Sequence, residues 1–192
     1  MLYDASSNST QASGCFRVRT STGAGITLSG ESVLKINNIT ASKDPIASLI
    51  VPTYYVNASL LTDINFELKK ESGAIITNSV ELSDIPTVAF PGNMPTSFSK
   101  NNTLIFNCIT DFGEVEVLLK GKNIMGEDTS YTQNVTSNPV YIWSNEMSIF
   151  QAGTIEICLT RREIDGLANS DQNAGGHINT AYSVHRSFAL IN

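Results

Sequence analysis

Hydrophobic and polar side chains alternate with period two along much of this chain. Ile64, Phe66 and Leu68 face one way while Asn65, Glu67 and Lys69 face the other. Val115, Val117 and Leu119 are set against Glu114, Glu116 and Leu118, and Ile155, Ile157 and Leu159 against Thr154, Glu156 and Cys158. Near the N-terminus Phe16 and Val18 alternate with Arg17 and Arg19. Successive side chains of a strand point to opposite faces, so each run predicts a strand with one face on a core. Further short strands fit Ile26–Leu28, Val33–Ile36, Leu49–Val56, Ala74–Leu82, Leu104–Cys108, Val140–Trp143 and Tyr182–Leu190. Many short strands between turn signals predict an all-β fold, an antiparallel β-sandwich of jelly-roll-like kind. The predicted core is Phe16, Val18, Ile64, Phe66, Leu68, Val115, Val117, Ile155, Ile157, Leu159 and Phe188.

Turn chemistry agrees. Glu71-Ser72-Gly73-Ala74 separates two strand patterns at hairpin distance, and Gly23-Ala24-Gly25, Asp111-Phe112-Gly113 and Gly121-Lys122-Asn123 punctuate the chain in the same way. The one helix candidate is Ser144–Phe150, with Ser144 as its cap. Pro86, Pro91 and Pro95 crowd the segment 86–100, and proline cannot donate to a ladder. The segment reads as a crossover inside a single domain of residues 1–192, because Phe90, Met94 and Phe98 give it something to pack with. The alternative makes it a linker between two immunoglobulin-like domains, 1–85 and 101–192. A second irregular stretch, Ile164–Asn179, is long for a hairpin connection.

Composition strengthens the β reading. Ser, Thr and Asn make up 58 of 192 residues, while charged residues reach only 16% against a usual value of about 25%. Short hydrogen-bonding side chains compete with helical backbone bonds and suit turns and strand faces. Net charge is −6; residues 1–96 hold six basic and eight acidic side chains, and residues 97–192 hold six and ten. Neither half offers the electropositive footprint that phosphate binding needs, so no nucleic-acid partner is expected. No stretch approaches the ~18 consecutive apolar residues of a membrane span. The start, Met1-Leu2-Tyr3-Asp4-Ala5-Ser6-Ser7, lacks the basic and apolar regions of a secretory signal.

Candidate chemistry is sparse. Cys15, Cys108 and Cys158 are odd in number and lack metal-ligand spacing, which favours free thiols over one disulfide with a spare. Asn169, Asp171 and Asn173 open like a calcium loop, but Ala174 and Thr180 stand where Gly and Glu belong. His177 in the long loop and His185 on the last strand are the only histidines, and neither sits in a metalloprotease or nucleophile-elbow motif. Glu114, Glu116 and Glu156 lie on outward strand faces, where carboxylates are ordinarily solvated. Tyr141 and Trp143 form a possible aromatic platform for sugar or partner, against the plainer reading of the only tryptophan as core. Five Asn-x-Ser/Thr sequons, starting at Asn8, Asn38, Asn57, Asn101 and Asn134, match chance in so Asn-rich a chain. No catalytic residue, cofactor site or metal site is expected.

The strands Thr154–Arg161 and Arg186–Asn192 resemble the C-terminal strand pattern of minor type IV pilins over under forty residues, although the long apolar N-terminal helix through which pilins assemble is lacking. Function is therefore reached by elimination. An acidic, Ser/Thr/Asn-rich β protein without a leader or catalytic motif fits a structural virion component, foremost of a bacteriophage: a head decoration, minor capsid or tail protein assembled in the host cytoplasm. Its partners would be copies of itself and other virion proteins. The N-terminal arm Met1–Gly14 holds only Leu2 and Tyr3 as large apolar residues, so it is expected to reach a neighbouring subunit. The alternative is an adhesion or carbohydrate-binding β-sandwich, a pilus-type subunit included.

Overall fold

A computed structural model describes residues 2–5, 9–15, 24–46, 51–58, 63–110, 113–169 and 177–192. The fold is all-β, with several antiparallel sheets and one short helix. In chain order the strands are β1 (Leu2–Asp4), β2 (Ser9–Cys15), β3 (Val33–Ile36), β4 (Ile39–Thr40), β5 (Ser42–Lys43), β6 (Thr53–Ala58), β7 (Ile64–Lys69), β8 (Ile75–Val80), β9 (Val88–Ala89) and β10 (Ser97–Ser99). They continue with β11 (Leu104–Phe106), β12 (Ile109–Thr110), β13 (Val115–Lys122), β14 (Asp128–Val135) and β15 (Val140–Ile142). The helix α1 (Ser144–Met147), β16 (Gly153–Gly166) and β17 (His177–Ile191) complete the chain. The backbone forms two compact units, one of residues 1–3, 7–85 and 163–181, the other of residues 4–6, 86–162 and 182–192.

In the first unit the β3–β4 and β7–β8 hairpins join through β3 and β7 into one antiparallel sheet, and β2, β6 and β5 pair beside one another. The β3–β4 hairpin turns through Asn37 and Asn38, both at positive φ, the left-handed conformation that asparagine tolerates best among residues with a side chain. Asn37 also accepts a hydrogen bond from the Asn65 backbone at 2.7 Å, which ties the turn to β7. The β7–β8 hairpin turns through Gly73 as expected, at φ 83°. Leu34, Ile36, Ile64 and Val80 are buried here. Phe66 and Leu68, predicted as core, are only half-buried, because they lie opposite Ile36 and Leu34 in a small sheet whose buried set is short. The predicted core positions Phe16 and Val18 lie outside the described residues.

The second unit carries the larger core. Its main sheet runs in the order β14, β13, β16, β17, with β10 joining β17 in parallel. Val115, Val117, Leu119, Ile155, Ile157, Leu159, Phe188 and Leu190 form one continuous buried face with Leu104, Phe106, Val140, Ile142, Met147 and Phe150. Phe90 and Phe98 from the proline-rich segment pack against the same core, and that segment carries β9 and β10 rather than being wholly irregular.

Other differences from the sequence reading have local causes. Ile26–Leu28 is not a strand; the Leu28 amide is instead taken by the Tyr54 hydroxyl at 2.8 Å. Ser9–Cys15, expected to reach a neighbouring subunit, pairs with β6 of its own chain, Gln11 opposite Asn57 and Ser13 opposite Tyr55. Edge pairing supplies the backbone hydrogen bonds that apolar side chains could not. Ile164–Gly166 and His177–Asn179 belong to strands, which shortens the long loop at both ends. Ser144 opens α1 but does not cap it. Trp143 holds the cap position and the Glu146 carboxylate accepts its amide at 2.7 Å.

Gly121 is the sharpest case. It sits inside β13, not in a turn, and the turn falls at Asn123–Glu127, where the Asn123 carboxamide accepts the amides of Met125 and Glu127. A Cβ on Gly121 would stand 2.4 Å from Ile155 Cδ1 and 3.0 Å from Phe150 Cδ1. The glycine is there because the core occupies its side-chain space. Gly121→Val should therefore destabilise by about 1–3 kcal/mol through overpacking. Phe150→Ala, at a fully buried ring, should cost about 3–5 kcal/mol, and Phe66→Ala less. Denaturant unfolding followed by circular dichroism checks the order; a neutral Gly121→Val would refute the packing described.

Candidate functional site

Strand alternation leaves the second unit's main sheet with another face, opposite the core, and on it stands a cluster of groups whose chemistry could be acid–base or nucleophilic. Glu156, Cys158 and Thr160 come from β16, Ser183 and His185 from β17, and Asp4 from the end of β1. His185 Nδ1 lies 2.9 Å from Glu156 Oε1, and His185 Nε2 lies 3.5 Å from Cys158 Sγ and 3.8 Å from Asp4 Oδ1. Thr160 Oγ1 bonds Ser183 Oγ at 2.9 Å and stands 3.5 Å from Cys158 Sγ. Acid, imidazole and thiol thus follow one another in the order that a cysteine nucleophile uses.

The environment works against that chemistry. Cys158 is buried, and burial pushes its thiol up; Thr160 and Lys120 pull the other way, while Glu156 and Asp4 raise it further. A nucleophilic cysteine needs the reverse, a thiolate held by positive surroundings with access to solvent. Asp4, 3.8 Å from the same Nε2, adds a second carboxylate on the thiol's side of the ring, and its negative charge opposes a thiolate there. Among the described residues no three or more His, Cys, Asp or Glu side chains are placed to hold a metal ion. The ladder is a satisfied polar face, with each buried hydroxyl and thiol given a partner.

The other residues singled out in the sequence are dispersed. Glu114 accepts from Asn134 at 2.8 Å, and Glu116 pairs with Arg162 at 3.4 Å, so the strand carboxylates are engaged separately. Asn169 locks onto β8, donating its amide to Asn78 Oδ1 at 3.0 Å and its carboxamide to Thr77 at 2.8 Å. Asp171 and Asn173 lie outside the described residues, as does the His177 side chain. Cys15, Cys108 and Cys158 are all free, and Cys15 is exposed. A hollow of about 10 Å³ lies beside Cys108, Thr110 and Asn138, far below the roughly 300–1,000 Å³ of a small-molecule pocket.

What stands out is an aromatic surface. Val140 and Ile142 point into the core, so Tyr141 and Trp143 point outward, 40% and 53% exposed. Their rings stack with centroids 5.4 Å apart and planes 10° from parallel. The expectation that the tryptophan packs in the core is thus corrected. The signal was present in the alternation Val140-Tyr141-Ile142-Trp143, which puts the tryptophan on the side opposite the buried pair. Ile105 lies across from Tyr141 in the β11–β15 pair and is exposed too. Glu146 fixes this corner, since one carboxylate oxygen accepts the Trp143 amide and the other accepts the Tyr131 hydroxyl from β14. Gln133, also on β14, donates to the Tyr141 carbonyl at 2.9 Å.

Compared with known proteins, the chain matches no protein-family model and no curated protein. Among the described residues no helix is long and apolar enough to cross a membrane.

Burial, the hydrogen bond to Glu146 and that carboxylate's charge together push the Tyr131 phenol up to about 12. A raised phenol favours the folded state fully below its ordinary value near 10, and the contribution is lost as pH climbs through about 12. Tyrosinate absorbance should show a late transition near 12 that Tyr131→Phe removes; its persistence in that variant would refute the assignment. Thiol labelling of the native protein should modify Cys15 first, with Cys108 and Cys158 reacting only on unfolding.

Proposed function

We propose that this chain is a structural assembly subunit, a virion component of bacteriophage type, that works by contact with copies of itself and with other virion proteins. The observation that supports the reading is the surface at Ile105, Tyr141 and Trp143. Aromatic rings held rigidly in water beside an aliphatic residue are what protein contacts draw on. The acidic, Ser/Thr/Asn-rich composition and the absence of a basic footprint favour protein over nucleic acid as the partner. The test is density-gradient fractionation of the particles from the virus or cell that encodes the chain. Co-migration with assembled particles, lost in Trp143→Ala, is the expected result; a chain found only outside particles overturns the reading.

One observation favours a second reading. Stacked, exposed Tyr141 and Trp143 also suit the apolar face of a sugar, as in a carbohydrate-binding module. Trp143 is the only tryptophan, so its fluorescence reports on that surface directly. A saturable change on adding oligosaccharide would move the function to that class, and an unchanged spectrum across a glycan panel would leave assembly.

A further inference from the structure

Among the described residues β14 pairs only with β13 and ends the main sheet of the second unit. Edge strands are ordinarily blunted by brevity, charge, proline or a bulge, because their outer amides and carbonyls accept another strand. β14 carries one charge, Asp128 at its first residue, and no proline or bulge. It is eight residues long, its register with β13 is unbroken from Val115 opposite Val135 to Lys122 opposite Asp128, and from Thr129 to Asn145 no side chain is charged. Ser130, Thr132 and Asn134 present small polar groups on its outer face, while Tyr131 and Val135 hold its other face to the core.

The β13–β14 turn adds an independent observation. Ile124 and Met125 at its tip are 78% and 79% exposed. Two large apolar side chains on a turn gain nothing for the monomer.

We infer that β14 is a self-pairing edge, joining a second copy of this chain antiparallel about a two-fold axis near Thr132. This rests on the assembly reading and names its contact. A two-fold pair centred there sets Thr132 against its own copy and Ser130 against Asn134, cross-strand pairs that hydrogen-bond. Asp128 falls outside the overlap, so no like charges on β14 meet even though each copy carries a net charge of −6. The same register runs the tip of one hairpin, Ile124 and Met125, alongside residues 136–141 of the other copy. That segment is uncharged and leads into the exposed Tyr141 and Trp143. Backbone hydrogen bonds at the centre and apolar contacts at both ends are then satisfied by one symmetric, isologous interface.

The test is sedimentation velocity of the full chain across a concentration series, with circular dichroism as the fold control. The native chain should show a monomer–dimer equilibrium. Thr132→Lys, which places like charges on the axis at an exposed position, should weaken it about tenfold with unchanged fold. Thr132→Asp should do the same, and an equimolar mixture of the two variants should recover dimer. Met125→Ser should weaken dimerisation without altering Thr132. Dimers of unchanged affinity in both charged variants would remove β14 from the interface while leaving the assembly reading intact. A native chain that is monomeric at all concentrations, yet co-migrates with particles, would overturn self-pairing alone.

Discussion

The pairing of β13 with β16 is the constraint from which the second unit follows. Val117 stands opposite Leu159 and Leu119 opposite Ile157, and all four are fully buried. Because strand side chains alternate with period two, a slip of one residue would bring Glu116 and Glu156 into the core and put the aliphatic set in water. Burying an unpaired carboxylate costs far more than any hydrophobic gain nearby, so only the observed register survives. With it fixed, Ile155 and Phe150 come over Gly121, and the space they take forbids any side chain there. Met147 and Phe150 are buried in the same core, while Trp143, at the cap of α1, stays 53% exposed.

That chain of consequences explains what could and could not be read from the sequence. The strands around Ile64, Val115 and Ile155 were legible because their alternation records burial on one face, a local property. Gly121 was read as a turn because glycine marks both turns and close approach, and only the positions of Ile155 and Phe150 distinguish them. The core standing of Phe66 and Leu68 was overstated for a related reason: alternation shows which face a residue is on, not how much covers that face. The N-terminal segment was read by counting apolar side chains. Its β2 portion is held through backbone pairing with β6, which composition does not register.

The site was less legible than the fold, since it depends on residues distant in sequence. Cys158 and His185, far apart in sequence, meet only because β16 and β17 are neighbours in the sheet. Assembling acid, imidazole and thiol is not sufficient for reactivity, however. A thiol raised by burial and carboxylates spread across both ring nitrogens leave a cluster that stabilises the face it stands on.

The proposed contact surface lies on outward-facing residues, and their arrangement follows the distribution of charge. An acidic chain repels its own copies at long range, so contact is easiest where charge is absent. The uncharged run from Thr129 to Asn145 covers most of β14, the crossing segment, β15 and Trp143. It therefore gathers the edge strand and the exposed rings into one stretch of sequence, tied together by the Glu146 and Gln133 hydrogen bonds between β14 and the β15–α1 segment. Glu146 is itself the first charge after the run, and both its oxygens are engaged at Trp143 and Tyr131. Its carboxylate holds the surface rigid rather than projecting freely as a charge, and a rigid apolar surface loses less entropy when a partner covers it.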